Sequence, residues 1–262
     1  MFPLRDNIPT EHFPVVTVLI IVANCIVYFF LQDGLLGLPN GGVGGDWPVA
    51  DYAMIPYEVT HPGDLCDLTA DGAIACEGQP GVAGEAGPQP PTWITLFTAM
   101  FMHGSLLHIG GNMLFLWIFG NNVEDAMGPV KFLLFYLLGG LAADVGQILV
   151  NTDSTVPTLG ASGAVAAVLG GYLLLFPQAR VVTFIFIIFF FTILEVPAIL
   201  FLGIWILQQA LFAYFDLVQP TAQGGGVAYF AHIGGFVFGL AAVRLFASEA
   251  RRRRQLERAG MR

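Results

Sequence analysis

Charge is what this sequence has least of. Of its 262 residues only 11% are Asp, Glu, Lys or Arg, while 56% are hydrophobic. A water-soluble domain carries roughly 25% charged residues, because its surface must face water. So thin a supply leaves an apolar outer surface, which lipid accepts and water does not, and a soluble globular enzyme is excluded. The short alternating segments of a membrane β-barrel are lacking too; long unbroken apolar runs stand in their place. The chain therefore reads as an all-α polytopic membrane protein.

Basic residues are scarcer still in the first half. Between Arg5 and Lys131 there is no Lys or Arg, whereas residues 33–92 hold nine acids: Asp33, Asp46, Asp51, Glu58, Asp64, Asp67, Asp71, Glu77 and Glu85. The far end carries Arg251, Arg252, Arg253 and Arg254 in a row. Lys and Arg mark cytoplasmic segments, so the tail is expected in the cytoplasm and the acidic segment outside. Beside a membrane core the Arg run is a topology anchor, and no nucleic-acid partner is expected. Cysteine is sparse as well. Cys25 lies in an apolar run; Cys66 and Cys76 share the outer segment and could form a disulfide in an oxidising compartment, a pairing the sequence leaves open. The first apolar run lacks a basic flank and a small-residue cleavage site, so no removable signal is expected. Internal repeats are absent.

What is present is a series of apolar runs near the length of about 20 residues that a bilayer requires. Residues 1–14 form a cytoplasmic N-terminus and 15–31 the first span, Val15–Leu31. Residues 32–92 form an outer, acidic, Gly/Pro-rich loop. Residues 93–247 form a core of helices two to six, and 248–262 a basic cytoplasmic tail. The later spans fall near Phe101–Phe119, Phe132–Val150, Leu159–Phe176, residues 198–214 and Val227–Phe246. Turns fall at Gly128-Pro129, Asn151–Pro157 and Gly224-Gly225-Gly226. Val181–Leu194 is short for a span and is interrupted by Glu195 and Pro197; it is expected at the cytoplasmic interface or as a re-entrant segment. Six spans put both termini inside and leave every basic residue near the cytoplasmic side.

Polar groups inside a bilayer are expensive and make a short list of functional candidates. The second span opens His103-Gly-Ser-Leu-Leu-His108 and reaches Asn112. His108 and Asn112, four apart, share one helical face. They suit hydrogen-bonding between helices, catalysis, or metal binding; the last needs a third ligand, and no HExxH pattern occurs. The fourth span opens Gly160-Ala161-Ser162-Gly163-Ala164, where a Ser between glycines serves as a cap, as small-residue packing, or as a nucleophile. The Gly-x-Ser-x-Gly elbow of soluble hydrolases is not met, because Ala164 stands at its second Gly. The sixth span opens Ala231-His232-Ile233-Gly234-Gly235 and continues to Gly239. Gly235 and Gly239 form a small face that permits close helix approach, with His232 three residues before. Ser162, Ala166 and Gly170 form a matching stripe, so a short Ser side chain would reach the imidazole. Six spans also place His108, Ser162 and His232 within roughly 15 Å of the same outer face, at 1.5 Å per residue. Gln208-Gln209 in the fifth span is expected to join helices by hydrogen bonds.

Taken in order, His103-x4-His108-x3-Asn112, Glu124-x3-Gly128, Gly160-x-Ser162-Gly163 and Ala231-His232-x2-Gly235-x3-Gly239 resemble the rhomboid family of intramembrane serine proteases. The resemblance implies a six-helix bundle and cleavage of other membrane proteins near their spans. It implies a Ser162–His232 dyad and an oxyanion hole from His108, Asn112 and the Ser162 backbone N–H, supported by His103, Gly160, Gly163, Gly235 and Gly239. No cofactor and no metal are implied. The partners would be transmembrane substrates and the lipid bilayer, and the location a bacterial plasma membrane. Two positions depart from the family. Trp93-Ile94-Thr95 lacks the Arg that often follows Trp in the first outer loop. Ala166 stands where an aromatic residue often packs against the catalytic His. The competing functions are an inactive relative that binds membrane proteins and a small transporter; loss of Ser162 or His232 would mark the first, inverted repeats the second.

Overall fold

The computed structural model describes residues 2–32, 49–69, 73–82, 84–187, 190–218 and 227–261. Asp33, Asp46, Asp71 and the Gly224-Gly225-Gly226 turn lie outside the described residues. A strand, β1 (Phe2–Asp6), precedes α1 (Val15–Ile26), which runs on through a π-helical stretch, Val27–Gln32. The outer segment holds short helices α2 (Val49–Tyr52) and α3 (Pro56–Thr60) and a ribbon of β2 (Cys66–Leu68) and β3 (Ile74–Cys76). Cys66 pairs in register with Cys76, and the two are disulfide-bonded. The segment thus has a small core of its own, with Ile55 and Tyr57 packed against the disulfide.

The bundle follows. A short helix α4 (Thr92–Thr98) ends in a 3₁₀ turn, and α5 (Leu106–Phe115) passes through a π-helical stretch into α6 (Asn121–Met127). Thr92–Phe101 and Leu106–Met127 meet at 81°. The bend is held from α1: the Gln32 amide donates to the His103 carbonyl at 2.8 Å and accepts from its N–H at 2.9 Å. That side chain satisfies backbone groups that a break in a membrane helix would otherwise orphan. Ser105 then caps α5 by accepting from the His108 N–H. After Gly128, whose φ of +87° suits glycine, come α7 (Pro129–Ile148), α8 (Ser162–Leu175), α9 (Ala198–Val218), α10 (Tyr229–Phe246) and α11 (Glu249–Arg258). Among the described residues four helices are long and apolar enough to cross a membrane, five if the bent pair counts as one span; α8 is apolar but has 14 residues.

Helix α8 is the axis. Almost all of it is buried, and α7 and α10 pack on it through small residues. A Cβ placed at Gly235 would lie 2.1 Å from the Gly163 carbonyl oxygen, one at Gly239 2.0 Å from that of Ala167, and one at Gly170 2.2 Å from that of Phe236. Only glycine permits backbones this close, so the expected contact between the fourth and sixth spans is present. The register differs in one respect: Gly163 and Ala167 face α10, which leaves Ser162 beside the contact rather than inside it.

The expectation of an all-α chain is corrected at the opposite end. The described residues of 181–194 belong to two paired antiparallel strands, β4 (Arg180–Ile187) and β5 (Phe190–Pro197), and β1 joins them to give the order β1-β4-β5. What is corrected is the helical fold class, not the expected place of the segment at an interface. β-Branched and aromatic side chains favour a strand, and Val181 and Thr183 face the protein while Phe186 and Phe191 are exposed. The basic tail is likewise a docked helix: the Gln255 amide donates to the Asn122 carbonyl, and Arg252 to that of Leu175 at the end of α8.

The Glu124 and Gly128 motif works at this end. Glu124 is buried and accepts from the N–H groups of Val16 and Thr17, at 2.9 and 2.7 Å, and from the Thr17 hydroxyl. It thereby caps the first turn of α1 from another helix, where an anion meets the positive end of the dipole. Asp125 accepts from the Glu11 N–H and pairs with His12. Asp6 accepts from Asn122 and from the Tyr172 hydroxyl, and burial pushes its carboxyl up to about 7.

Candidate active site

The α8 N-terminus opens on a cavity of about 940 Å³ whose lining includes Ser162, His232, His108, Asn112 and Gln209. Four chain segments bring these groups together. Ser162 is the first residue of α8, so its N–H is among those a helix leaves unpaired. Gly160 makes the approach possible. Its φ is +125°, and a Cβ there would lie 2.8 Å from His108 Nε2 and 3.5 Å from Ser162 Oγ. Any side chain at this position would fill the space that the hydroxyl and the imidazole share.

His108 stands near the start of α5. Its Nδ1 accepts from the Gly104 N–H at 3.3 Å, so its proton resides on Nε2, the nitrogen nearest Gly160. Asn112, one turn on, is buried, and its Nδ2 has no hydrogen-bond partner. Asn112 is one of the residues lining the cavity, and a buried amide donor with nothing to bond is costly. His103 lies in the bend rather than on a helix. It is fully buried, its ring sits 5.0 Å from that of His108, edge to face, and its Nε2 accepts from the Ala161 N–H at 3.5 Å. It braces His108 and the turn before Ser162.

His232 is buried in α10. Its Nδ1 lies 2.8 Å from Gln209 Oε1, and the Trp205 ring is 5.8 Å away, tilted by 36°. Both partners come from α9, one turn apart. Gln209 thus joins two helices by a hydrogen bond, as expected, and its partner on α10 is the candidate base itself. The signal available was its spacing from Trp205, which puts an aromatic ring and an amide on one face of α9. Ala166, at the position where an aromatic residue often packs on the His, is buried against Gly235 instead. The aromatic contact comes from a different helix. Trp93 is exposed. Asp144 was missed as a cavity residue. It lines the same cavity from α7, and the buried Oδ2 of its carboxyl has no partner. Asp153 lies elsewhere, 3.6 Å from His61 Nε2. Among the described residues, no three His, Cys, Asp or Glu side chains cluster as a metal site would require.

A hydroxyl, an imidazole and convergent N–H donors in one cavity are the components of acyl transfer. The sequence model of the Rhomboid domain matches residues 90–249. The mitochondrial Rhomboid protein 1 of Saccharomyces cerevisiae is 31% identical over 173 residues, 64% of this chain and 46% of that protein. The mitochondrial RHOMBOID-like protein 12 of Arabidopsis thaliana is 31% identical over 157 residues, 54% of this chain and 43% of that protein. The chloroplastic Rhomboid-like protein 11 of the same plant is 40% identical over 75 residues, 29% of this chain and 26% of that protein. The chain thus spans less than half the length of these relatives.

Proposed function

Since the chain belongs to the rhomboid family, we propose that it is an intramembrane serine endopeptidase, with Ser162 as nucleophile and His232 as general base. The observation that carries this is the shared cavity at the α8 N-terminus, whose lining includes Ser162, His232, His108 and Asn112. His232 takes the proton of Ser162 as Oγ attacks the scissile carbonyl carbon. The carbonyl oxygen becomes an oxyanion and receives hydrogen bonds from Asn112 Nδ2, His108 Nε2–H and the Ser162 N–H. The intermediate collapses, the C–N bond breaks, and His232 gives its proton to the leaving amine. Water, activated by the same His, then releases the acyl group. In a water-poor site each oxyanion donor is worth about 3–4 kcal/mol.

Six spans, counting α8 and the bent pair, with both termini cytoplasmic remain the proposed topology. It is supported by the position of Arg5, Arg180 and the basic helix α11 at the end of the bundle away from Ser162. The proposed location is a bacterial plasma membrane. The cavity then opens near the outer face. A substrate helix keeps its carbonyls in its own hydrogen bonds, so it must unwind before attack. Gly or Pro near the cut lowers that cost by about 1–3 kcal/mol. The proposed oxyanion hole sits between closely packed small-residue helix faces, which leave little room beside the scissile carbonyl, so cleavage is expected after a small residue such as Ala.

The test is cleavage of a panel of reconstituted single-span substrates, with products mapped by mass spectrometry. Cuts near the outer end of the span, after small residues, are expected. No cleavage of any substrate, or cuts at the cytoplasmic end, would contradict the proposal.

A further inference from the structure

We propose that Gln209 is a positioning residue that sets the tautomer of His232 and aims its free nitrogen at Ser162. The inference rests on the protease reading and extends it from two residues to three. A general base must present a lone pair to the hydroxyl it deprotonates, so the proton of a neutral imidazole has to sit on the far nitrogen. The geometry supplies this. Gln209 Oε1 lies 2.8 Å from His232 Nδ1. An amide oxygen only accepts, so Nδ1 must donate, and Nε2 is left with the lone pair.

The orientation of the amide is itself fixed. Gln209 Nε2 faces the Trp205 carbonyl oxygen at 3.4 Å. A backbone carbonyl cannot donate, so the amide nitrogen belongs there and the oxygen toward His232. Gln209 is only 7% exposed, so water competes little for this bond. Trp205 and Tyr229 limit rotation of the ring, with centroids at 5.8 and 6.5 Å. One turn of α9 therefore provides both the hydrogen bond and an aromatic wall.

Gln209 differs from the Asp of a three-residue triad in one physical respect: it is neutral. It fixes the tautomer but supplies no countercharge when His232 becomes an imidazolium. A carboxylate in its place would favour the charged ring and raise the pH at which the base becomes free.

The experiment compares wild type, Gln209→Met and Gln209→Glu in detergent and in vesicles. The ¹⁵N shifts of the His232 ring are read first, because they report the tautomer without any activity. Wild type is expected to be protonated at Nδ1 and Gln209→Met to show a mixture. A wild-type proton on Nε2 overturns the proposal, whether or not the protein cleaves anything. If wild type cleaves substrate, Gln209→Met should lose roughly 10–1,000-fold in kcat with KM little changed. Gln209→Glu should recover part of that loss, with the acid limb of its pH profile moved upward by about one unit. A purely structural role predicts that the buried acid is the worse variant and that the acid limb stays in place; either result overturns the proposal. Failure of wild type to cleave, with Nδ1 protonated, would count against the protease reading and leave the tautomer assignment standing.

Discussion

The two ends of α8 treat buried carboxylates differently. At its C-terminal end, around Tyr172 and Leu175, carboxylates are paired: Glu124 accepts three hydrogen bonds from α1, and Asp125 and Asp6 accept two each. At its N-terminal end, Asp144 Oδ2 and, beside it in the cavity lining, Asn112 Nδ2 are buried and have no hydrogen-bond partner among the described residues. Paired polar groups hold elements together, whereas unpaired donors beside a hydroxyl wait for something to bind. If one end of the helix serves stability and the other the proposed chemistry, substitutions at the two ends should separate the two properties.

The largest effect is expected from Ser162→Ala. Cleavage should fall to background while the thermal midpoint in detergent stays within a few degrees of wild type. Near-normal turnover would remove Ser162 from the chemistry. Asn112→Ala should slow turnover roughly 10–1,000-fold with less effect on KM. A change in KM alone would assign Asn112 to packing instead.

At the stability end, Glu124→Ala leaves two buried N–H groups of α1 unpaired. It should cost about 2–3 kcal/mol, seen as a lower unfolding midpoint, with kcat per folded molecule unchanged. A catalytic defect without destabilisation would blur the contrast between the ends. Asp6 should impart pH dependence. Its folded pKa is raised from 3.8 to about 7, chiefly by burial. Folding therefore favours the protonated form: this contribution is fully present below about pH 4 and is lost as pH rises through about 7. The wild-type midpoint should fall between pH 5 and 8, and that of Asp6→Asn should fall less. Equal slopes would remove Asp6 as the cause.

The end proposed to carry the chemistry was the more legible of the two in the sequence. Its groups lie on helices with fixed spacings, and His108, Asn112, Ser162 and His232 are polar exceptions in apolar runs, which a bilayer makes conspicuous. The glycines of α10 announced the close packing that brings His232 to α8. What escaped notice is long-range. Gln209 meets His232 across 23 residues, and nothing local separates an amide that joins helices from one that orients a base. The strand pair escaped for another reason. Thr183, Phe184, Ile185 and Phe186 are apolar or β-branched enough for a strand, but a short apolar run has the same composition in either state. Its pairing with β1 joins Phe2 to Phe184, a contact that no periodicity reports. The disulfide between Cys66 and Cys76 was foreseeable from their shared segment, but not the ribbon that aligns them.

The central claim is that Ser162 is a nucleophile activated by His232. Labelling with a fluorophosphonate probe tests it most directly, because the probe forms a covalent bond only with an activated serine. Wild type in vesicles should be modified once, on Ser162 by peptide mapping, and His232→Ala, folded to the same extent, should not be modified. Modification of another residue, or equal labelling of Ser162 in the His232→Ala protein, would contradict the account.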